Sequence, residues 1–317
     1  MFVKPFRYER AEDLAHACEI LRSHGDGAKA IAGGQSLMPM LNTGLLDCEV
    51  LVDISHIDLE DVGVRDGYLE LGGLVRHARL ASDSRVANSQ PLIATAARHV
   101  GNARVRNRGT LGGSLAHADP SAELPLVMTA IGAKVLASNG SEVREIAAEE
   151  LATSFLSTQL AEDELVVAVR VPVLGEGWGW SFNEITRRLG DFAVAAVAVL
   201  LRTAEGKVLE ARVAAGAVGK TPIRLGGVEA ALSGASRDEL AERAQRLDEV
   251  DPPSDSNASA AYRKKVLGVL VRRSLLEAFD RAGVGESGAG GADAAESGAG
   301  ESGSGESTDG SGRGEGQ

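Results

Sequence analysis

Apolar positions along the opening of the chain recur first at helical and then at strand spacing. Leu14, Cys18 and Leu21 share one face over residues 11–24, as an amphipathic helix requires. AKAIAGG (28–34) reads as a short buried strand running into a Gly-Gly turn, and EVLVDI (49–54) as a second strand. Together they predict a small α/β unit over residues 1–57. Residues 58–176 predict a second unit, with a strand over 68–75, a helix over 91–100, a Gly-rich turn, and a helix over 122–131. Asn139-Gly140 signals a hairpin, and a strand over 164–171 stops at Pro172. Composition changes at LGEGWGW (174–180), which sets a boundary. Residues 177–282 then read as antiparallel strands over 179–186, 192–202 and 208–218, with Glu205-Gly206 in a turn. Two helices follow, over 237–249 and 257–282, separated by Pro252-Pro253. On the second, Tyr262, Val266, Val269, Leu270 and Leu276 sit at helical spacing. The fold class is α+β: two α/β subdomains followed by a small C-terminal domain of antiparallel sheet and helices.

Composition narrows the function. The 317 residues carry 45 acidic and 33 basic side chains, a formal charge of −12, which disfavours a partner such as nucleic acid. Residues 283–317 hold seven of the acids, one Arg and little to bury, so this Gly/Ser-rich tail is expected to be disordered. Two cysteines, Cys18 and Cys48, are too few for a disulfide framework or an iron–sulfur centre. Cys18 reads as a core residue on its helix. The first residues lack the apolar stretch of a signal peptide, and the longest apolar run, 192–201, is too short to span a bilayer. A soluble, cytoplasmic chain is expected.

Several motifs fail on inspection. GAVGKT (216–221) resembles the end of a phosphate loop, but Ala214 stands where its first glycine belongs and Pro222 where its helix should start. No G-x-G-x-x-G follows a strand, and no G-x-S-x-G marks a hydrolase. His117 and Asp119 alone do not make a metal site, so none is expected. No catalytic side chain is assigned.

Two glycine-rich turns carry more. Ala32-Gly33-Gly34-Gln35-Ser36-Leu37 follows a strand, and Thr110-Leu111-Gly112-Gly113-Ser114 lies far along the chain. Adjacent glycines let the backbone approach a ligand, and successive amides can converge on an anion. An ordinary tight turn explains the first equally well. Ser121 is placed to cap the helix that follows, with Glu123 in its first turn as dipole compensation or as an acceptor for a ribose hydroxyl. Arg104, Arg106 and Arg108 would share one strand face if that segment is extended, either as a solvated edge or as phosphate contacts.

AGGQSLMPMLN (32–42) and VRNRGTLGGSLAHADPSAELP (105–125) resemble the two flavin-binding loops of the medium, FAD-binding subunit of the carbon monoxide dehydrogenase and xanthine dehydrogenase family, with a PCMH-type FAD domain. RRLGDFAVAAVAV (187–199) follows in the family's order, and the resemblance covers residues 1–282. It implies that residues 32–37 and 110–114 grip the FAD pyrophosphate from two sides. It implies further that Glu123 lies on the ribose side, that Val100 and Val166 lie near the flavin or adenine rings, and that Asp191 and Phe192 lie beside the isoalloxazine. Relatives often carry a Lys where this chain has Glu184 after Phe182-Asn183, which bears on the tuning of the flavin.

The resemblance also implies a role. A molybdenum-cofactor large subunit would oxidise substrate, and a small subunit with two [2Fe–2S] clusters would pass electrons to the FAD of this chain for delivery to an external acceptor. NAD, quinone and oxygen stay open as that acceptor. The alternatives are a stand-alone FAD-dependent oxidase or reductase, a scaffold subunit that has lost FAD, and an unrelated small-molecule binding module.

Overall fold

A computed structural model describes residues 4–287. The first sheet has three parallel strands in the order Arg7–Arg10, Val50–Asp53, Ala28–Ile31. Its central strand is buried on both faces, as parallel sheets require. Val50 and Val52 pack with Cys18 and Leu21 of the helix Leu14–His24, while Leu51 packs on the other side with Leu41 of the helix Leu37–Thr43. Arg7–Arg10 was not anticipated, because RYER has no apolar alternation. It is an edge strand, and the Tyr8 hydroxyl hydrogen-bonds the Asp53 carboxylate.

The second sheet is antiparallel, in the order Val62–Arg65, Tyr68–Gly72, Leu165–Pro172, Lys134–Ser138, Val143–Ala147. The Asn139-Gly140 hairpin joins the last two, with Gly140 at φ +90°. The helices Pro91–His99 and Glu123–Ile131 pack with this sheet around Leu92, Ile93, Leu126 and Met128. Three further short helices carry no helical apolar pattern: His77–Ser82 and Ser84–Ser89 precede Pro91–His99, and Ala103–Arg108 follows it.

The third sheet is antiparallel, in the order Trp178–Thr186, Ala193–Ala204, Lys207–Gly216, Ile223–Arg224. Strand Ala193–Ala204 explains the ten-residue apolar run. Ala196, Ala198 and Leu200 enter the core shared with the helix Glu123–Ile131, whereas Ala195, Val197, Val199 and Leu201 enter the core under the long helix Ala260–Ser287. With side chains alternating across the sheet and both faces covered, every position is apolar. The long helix approaches closely at Gly179, where a Cβ would lie 1.8 Å from the Ala278 carbonyl oxygen.

Three expectations for this region need correction. The helix over 237–249 is a 3₁₀ turn Arg237–Glu239 and a single helical turn Leu240–Arg243, and a separate helix Gly226–Leu232 precedes them. On Ala260–Ser287 the buried stripe is Leu267, Leu270, Val271, Leu275 and Ala278, while Tyr262 and Val269 are exposed. The helix also continues through residues 283–287, which were assigned to the tail. The remainder of the disordered-tail expectation, residues 288–317, lies outside the described residues.

Candidate functional site

Strand Ala28–Ile31 delivers the chain to Gly33 and Gly34, and the helix Leu37–Thr43 carries it away. Gly34 takes φ +69°, which L side chains rarely adopt. Among the described residues the backbone amides of residues 33–37 find no protein acceptor. Neither does the Ser36 hydroxyl have a hydrogen-bond partner. A run of unpaired amides around a left-handed residue is a nest for an anion.

The second glycine segment works differently. Residues 111–114 form the start of the helix Leu111–His117, not an open turn, and Thr110 caps it by accepting from the Gly113 amide at 3.1 Å. The Gly112 amide donates to the Gly73 carbonyl at 2.7 Å and the Ser114 amide to the Thr110 carbonyl at 3.0 Å. These amides are therefore spent within the protein, which corrects the expectation of two equivalent amide cradles. The glycines serve close packing instead. A Cβ on Gly112 would sit 2.8 Å from the Gly73 carbonyl oxygen, and one on Gly113 would sit 2.7 Å from Thr110 Oγ1. Ser114 keeps its hydroxyl free for a ligand, since no described side chain or backbone group bonds it.

The two segments meet directly. A Cβ on Gly33 would lie 2.1 Å from the Arg108 carbonyl oxygen and 2.9 Å from Gly109 Cα. The Arg108 guanidinium reaches back to the Gly33 carbonyl at 3.3 Å. Residues 76–77 hold the second segment from behind. The Arg76 side chain donates to the Arg108 carbonyl, the His77 amide to the Gly109 carbonyl (3.0 Å) and His77 Nε2 to the Thr110 carbonyl (2.9 Å). Burial pushes His77 down to about 4, so the ring is neutral, with its proton on Nε2 and Nδ1 buried without a partner among the described residues.

Both segments line one cavity of about 570 Å³, within the range of organic-ligand sites. Ala32, Gly33, Gly34, Gln35, Ser36, Leu37, Val100, Thr110, Gly112, Gly113, Ser114, Glu123, Val166, Asp191 and Phe192 all line it. Leu111 does not. Its side chain points into the core, and its amide donates to the Val75 carbonyl at 2.9 Å. The three arginines are also corrected. Asn102 caps the helix Ala103–Arg108 through the amides of Arg104 and Val105, so Arg106 lies on the side of the helix opposite Arg104 and Arg108, and the three share no common face. Ser121 is not a cap. The cap position of Glu123–Ile131 is Ala122, and Ser121 donates its amide to Asp119 Oδ1 at 2.8 Å.

Lining groups that the sequence did not single out include Gly73, His77, Lys29, Glu162 and Glu164. Gly72-Gly73 was the one available signal, and it lay at a strand end where glycine is unremarkable. Among the described residues Lys29 is the only Lys or Arg on the lining, against the carboxyls of Asp119, Glu123, Glu162, Glu164 and Asp191. An anionic ligand must therefore be held mainly by amides and hydroxyls. Glu123 is 8% exposed, and its burial pushes the carboxyl up to about 7. The Glu184 side chain is 9% exposed, with Oε1 3.2 Å from His99 Nδ1. Phe192 stands 64% exposed at the rim. Among the described residues no group of three or more His, Cys, Asp or Glu could hold a metal ion, and no helix is long and apolar enough to cross a membrane.

An α+β chain with a nest of unpaired amides opening on a cavity of this size has the build of a nucleotide-cofactor protein. Two family models match it: "FAD binding domain in molybdopterin dehydrogenase" over residues 4–174 and "CO dehydrogenase flavoprotein C-terminal domain" over residues 180–278. The chain is 38% identical to a 6-hydroxypseudooxynicotine dehydrogenase complex subunit alpha of Paenarthrobacter nicotinovorans, over 87% of this chain and 95% of that one. It is 33% identical to a carbon monoxide dehydrogenase medium chain of Afipia carboxidovorans, over 87% and 98%. Among solved structures it resembles the carbon monoxide dehydrogenase of Hydrogenophaga pseudoflava (TM-score 0.84, 31% identity, 89% of this chain and 99% of that one). It also resembles quinoline 2-oxidoreductase of Pseudomonas putida 86 (TM-score 0.83, 32% identity, 89% and 99%).

The chain belongs to the family of FAD-binding medium subunits of molybdenum-hydroxylase-type dehydrogenases. It is a flavoprotein subunit of an oxidoreductase, and its cofactor is FAD. The residues present fit that group: the amides of residues 33–37 suit a diphosphate, and the cavity wall between Val100 and Val166 is apolar enough for a ring.

Proposed function

We propose that this chain receives electrons from a [2Fe–2S] partner subunit, itself supplied by a molybdenum-cofactor subunit, and passes them to an external acceptor in the cytoplasm. The observation that carries the reading is the meeting of two segments, 75 residues apart at Gly33 and Arg108, on one cavity beside an unpaired amide nest. When bound, the isoalloxazine supplies the redox chemistry. The protein's own residues bind and orient. The amides of residues 33–37, with the Ser36 and Ser114 hydroxyls, would hold the diphosphate, while Thr110, Gly112 and Gly113 keep the second wall close. Glu123 would face the ribose side, and Val100 and Val166 would contact the rings. Asp191 and Phe192, at the rim, would limit access to the isoalloxazine. None of these groups needs to act as general acid or base.

Purified chain should show flavin absorption at about 370 and 450 nm. Pull-down of the tagged chain from its source should bring molybdenum- and iron–sulfur-containing subunits with it. A colourless, stably folded chain that takes up no added FAD would overturn the cofactor site. A yellow chain that turns over substrate without partners would overturn the electron-transfer role.

A further inference from the structure

Six residues, 187–192, join strand Trp178–Thr186 to strand Ala193–Ala204, and the last three, Gly190, Asp191 and Phe192, line the cavity. This strap is held at three points. Its middle rests on the FAD-binding part: Gly190 takes φ +85°, and a Cβ there would lie 2.9 Å from the carbonyl oxygen of Gly101, itself on the cavity wall. At its start the Arg187 guanidinium donates to Asn257 Oδ1 at 3.1 Å. Just past its end, the Val194 carbonyl accepts from Arg263 Nη1 at 2.6 Å. Within the strap a single turn forms, in which the Asp191 amide donates to the Arg188 carbonyl at 3.0 Å.

The ties at the two ends belong to one cluster. Arg263, in the first turn of the helix Ala260–Ser287, is only 4% exposed, and its Nη2 donates to Asp255 Oδ2 at 2.7 Å. Asp255 Oδ1 accepts from the amides of Asn257 and Ala258 at 2.8 and 3.0 Å, which fixes the residue that receives Arg187. A circuit therefore runs from Arg187 through Asn257, Asp255 and Arg263 to Val194, and closes on the strap. The sheet ladder between Ala193–Ala204 and Lys207–Gly216 stops at Ala196 opposite Gly216, and Arg263 joins the two chains beyond it, since Nη1 donates to the Ala217 carbonyl as well, at 3.0 Å. Ala217 sits at φ +62°, which L side chains rarely adopt, and its amide donates to the Pro120 carbonyl at 2.7 Å, next to Asp119 of the cavity wall. A buried guanidinium is costly unless it is paired. Here Nε is buried without a partner among the described residues, so the two Nη groups carry the pairing.

We propose that Arg263, Asp255 and Asn257 are positioning residues of the cavity rim: they clasp both ends of the strap and so hold Asp191 and Phe192 in place beside the flavin. This deepens the reading above and rests on its placement of the isoalloxazine at this rim. The strap has little means of ordering itself. Leu189 at its tip is fully exposed and Phe192 is 64% exposed, so few apolar contacts offset the entropy of fixing it. Its order comes from its ends. None of the three clasp residues lines the cavity, so they act through the strap and not on the cofactor. The planar guanidinium suits the task, because its separate Nη groups serve the carboxylate and the two carbonyls at once, which a single ammonium cannot do in the same geometry.

The test uses FAD-loaded full-length chain and two charge-conserving variants, Arg263→Lys and Asn257→Ala. Arg187 and Arg188 are exposed, so trypsin reads the order of the strap directly, and iodide quenching of flavin fluorescence reads access to the ring. Cleavage after Arg187 and Arg188, followed by mass spectrometry, should be about fivefold faster in both variants. Quenching should be about threefold steeper at unchanged flavin content. Asn257→Asp, which keeps an acceptor for Arg187, should match wild type in both readouts. Asn257 is exposed, so Asn257→Ala decides the outcome if Arg263→Lys fails to fold. Wild-type cleavage rates in Asn257→Ala, or Asn257→Asp cleaved as fast as Asn257→Ala, would overturn the clasp. Faster cleavage with unchanged quenching would instead overturn the placement of the isoalloxazine at this rim.

Discussion

Gly33 shows how one missing atom shapes the site. Its Cβ would fall 2.1 Å from a backbone oxygen, and backbone cannot swing aside as a side chain can. Even Gly33→Ala must therefore push the two segments apart and widen the gap that the nest needs. The expected outcome is a chain that purifies with less than a tenth of the wild-type flavin per mole, by the ratio of visible to ultraviolet absorbance, and keeps its far-ultraviolet circular dichroism. Full flavin content in that variant would show that the contact at Arg108 is not needed. The Gly-Gly pairs were readable in the sequence because only glycine permits such approach. Their division of labour was not. That the amides of Gly112 and Ser114 are spent while those of residues 33–37 are free depends on Gly73 and Thr110, which tertiary packing brings into place.

Among the elements, long apolar strands were legible and short polar helices were not. Ala193–Ala204 and Leu165–Pro172 announce themselves by runs of Val, Ala and Leu. Ala103–Arg108 does not, because Arg at every second position mimics strand alternation, and the decisive feature is the Asn102 cap. Ser84–Ser89 is likewise held by its cap. Asp83 accepts from the Arg85 amide at 2.9 Å and pairs with the guanidiniums of Arg85 and Arg79. Arg85, hydrogen-bonded to the Asp83 carboxyl, is the main cause holding it down at about 2, below its ordinary 3.8. A depressed carboxylate stabilises the fold above its unfolded value, and that contribution is lost as pH falls through the folded one. Asp83→Ala should therefore cost about 1 kcal/mol near neutral pH. The gap to wild type, read from urea unfolding, should close as pH drops from 3.8 towards 2. A gap that persists at pH 2 would mean the cap works without its charge.

On the scale of the whole molecule, acidity sets the terms on which the cofactor is held. The chain carries a formal charge of −12, and the cavity wall continues that bias, with one lysine against five carboxyls. Retention must then come from directed amide and hydroxyl donors, whose effect is local. Glu184, which does not line the cavity, is paired with His99 at 3.2 Å.

From Ala195 to Leu201, strand Ala193–Ala204 lends its odd-numbered side chains to one interior and its even-numbered ones to the other. Neither half can let go of that ribbon without tearing open its neighbour. Calorimetry of the purified chain should accordingly record a single endotherm, where two loosely tethered modules would give two. An insertion of one residue in this stretch would transpose the two sets of side chains and spoil both interiors together. The hinge freedom usual between the parts of a two-part chain is thereby surrendered, and the distance from the cavity to the C-terminal sheet becomes a fixed dimension for anything that docks against it.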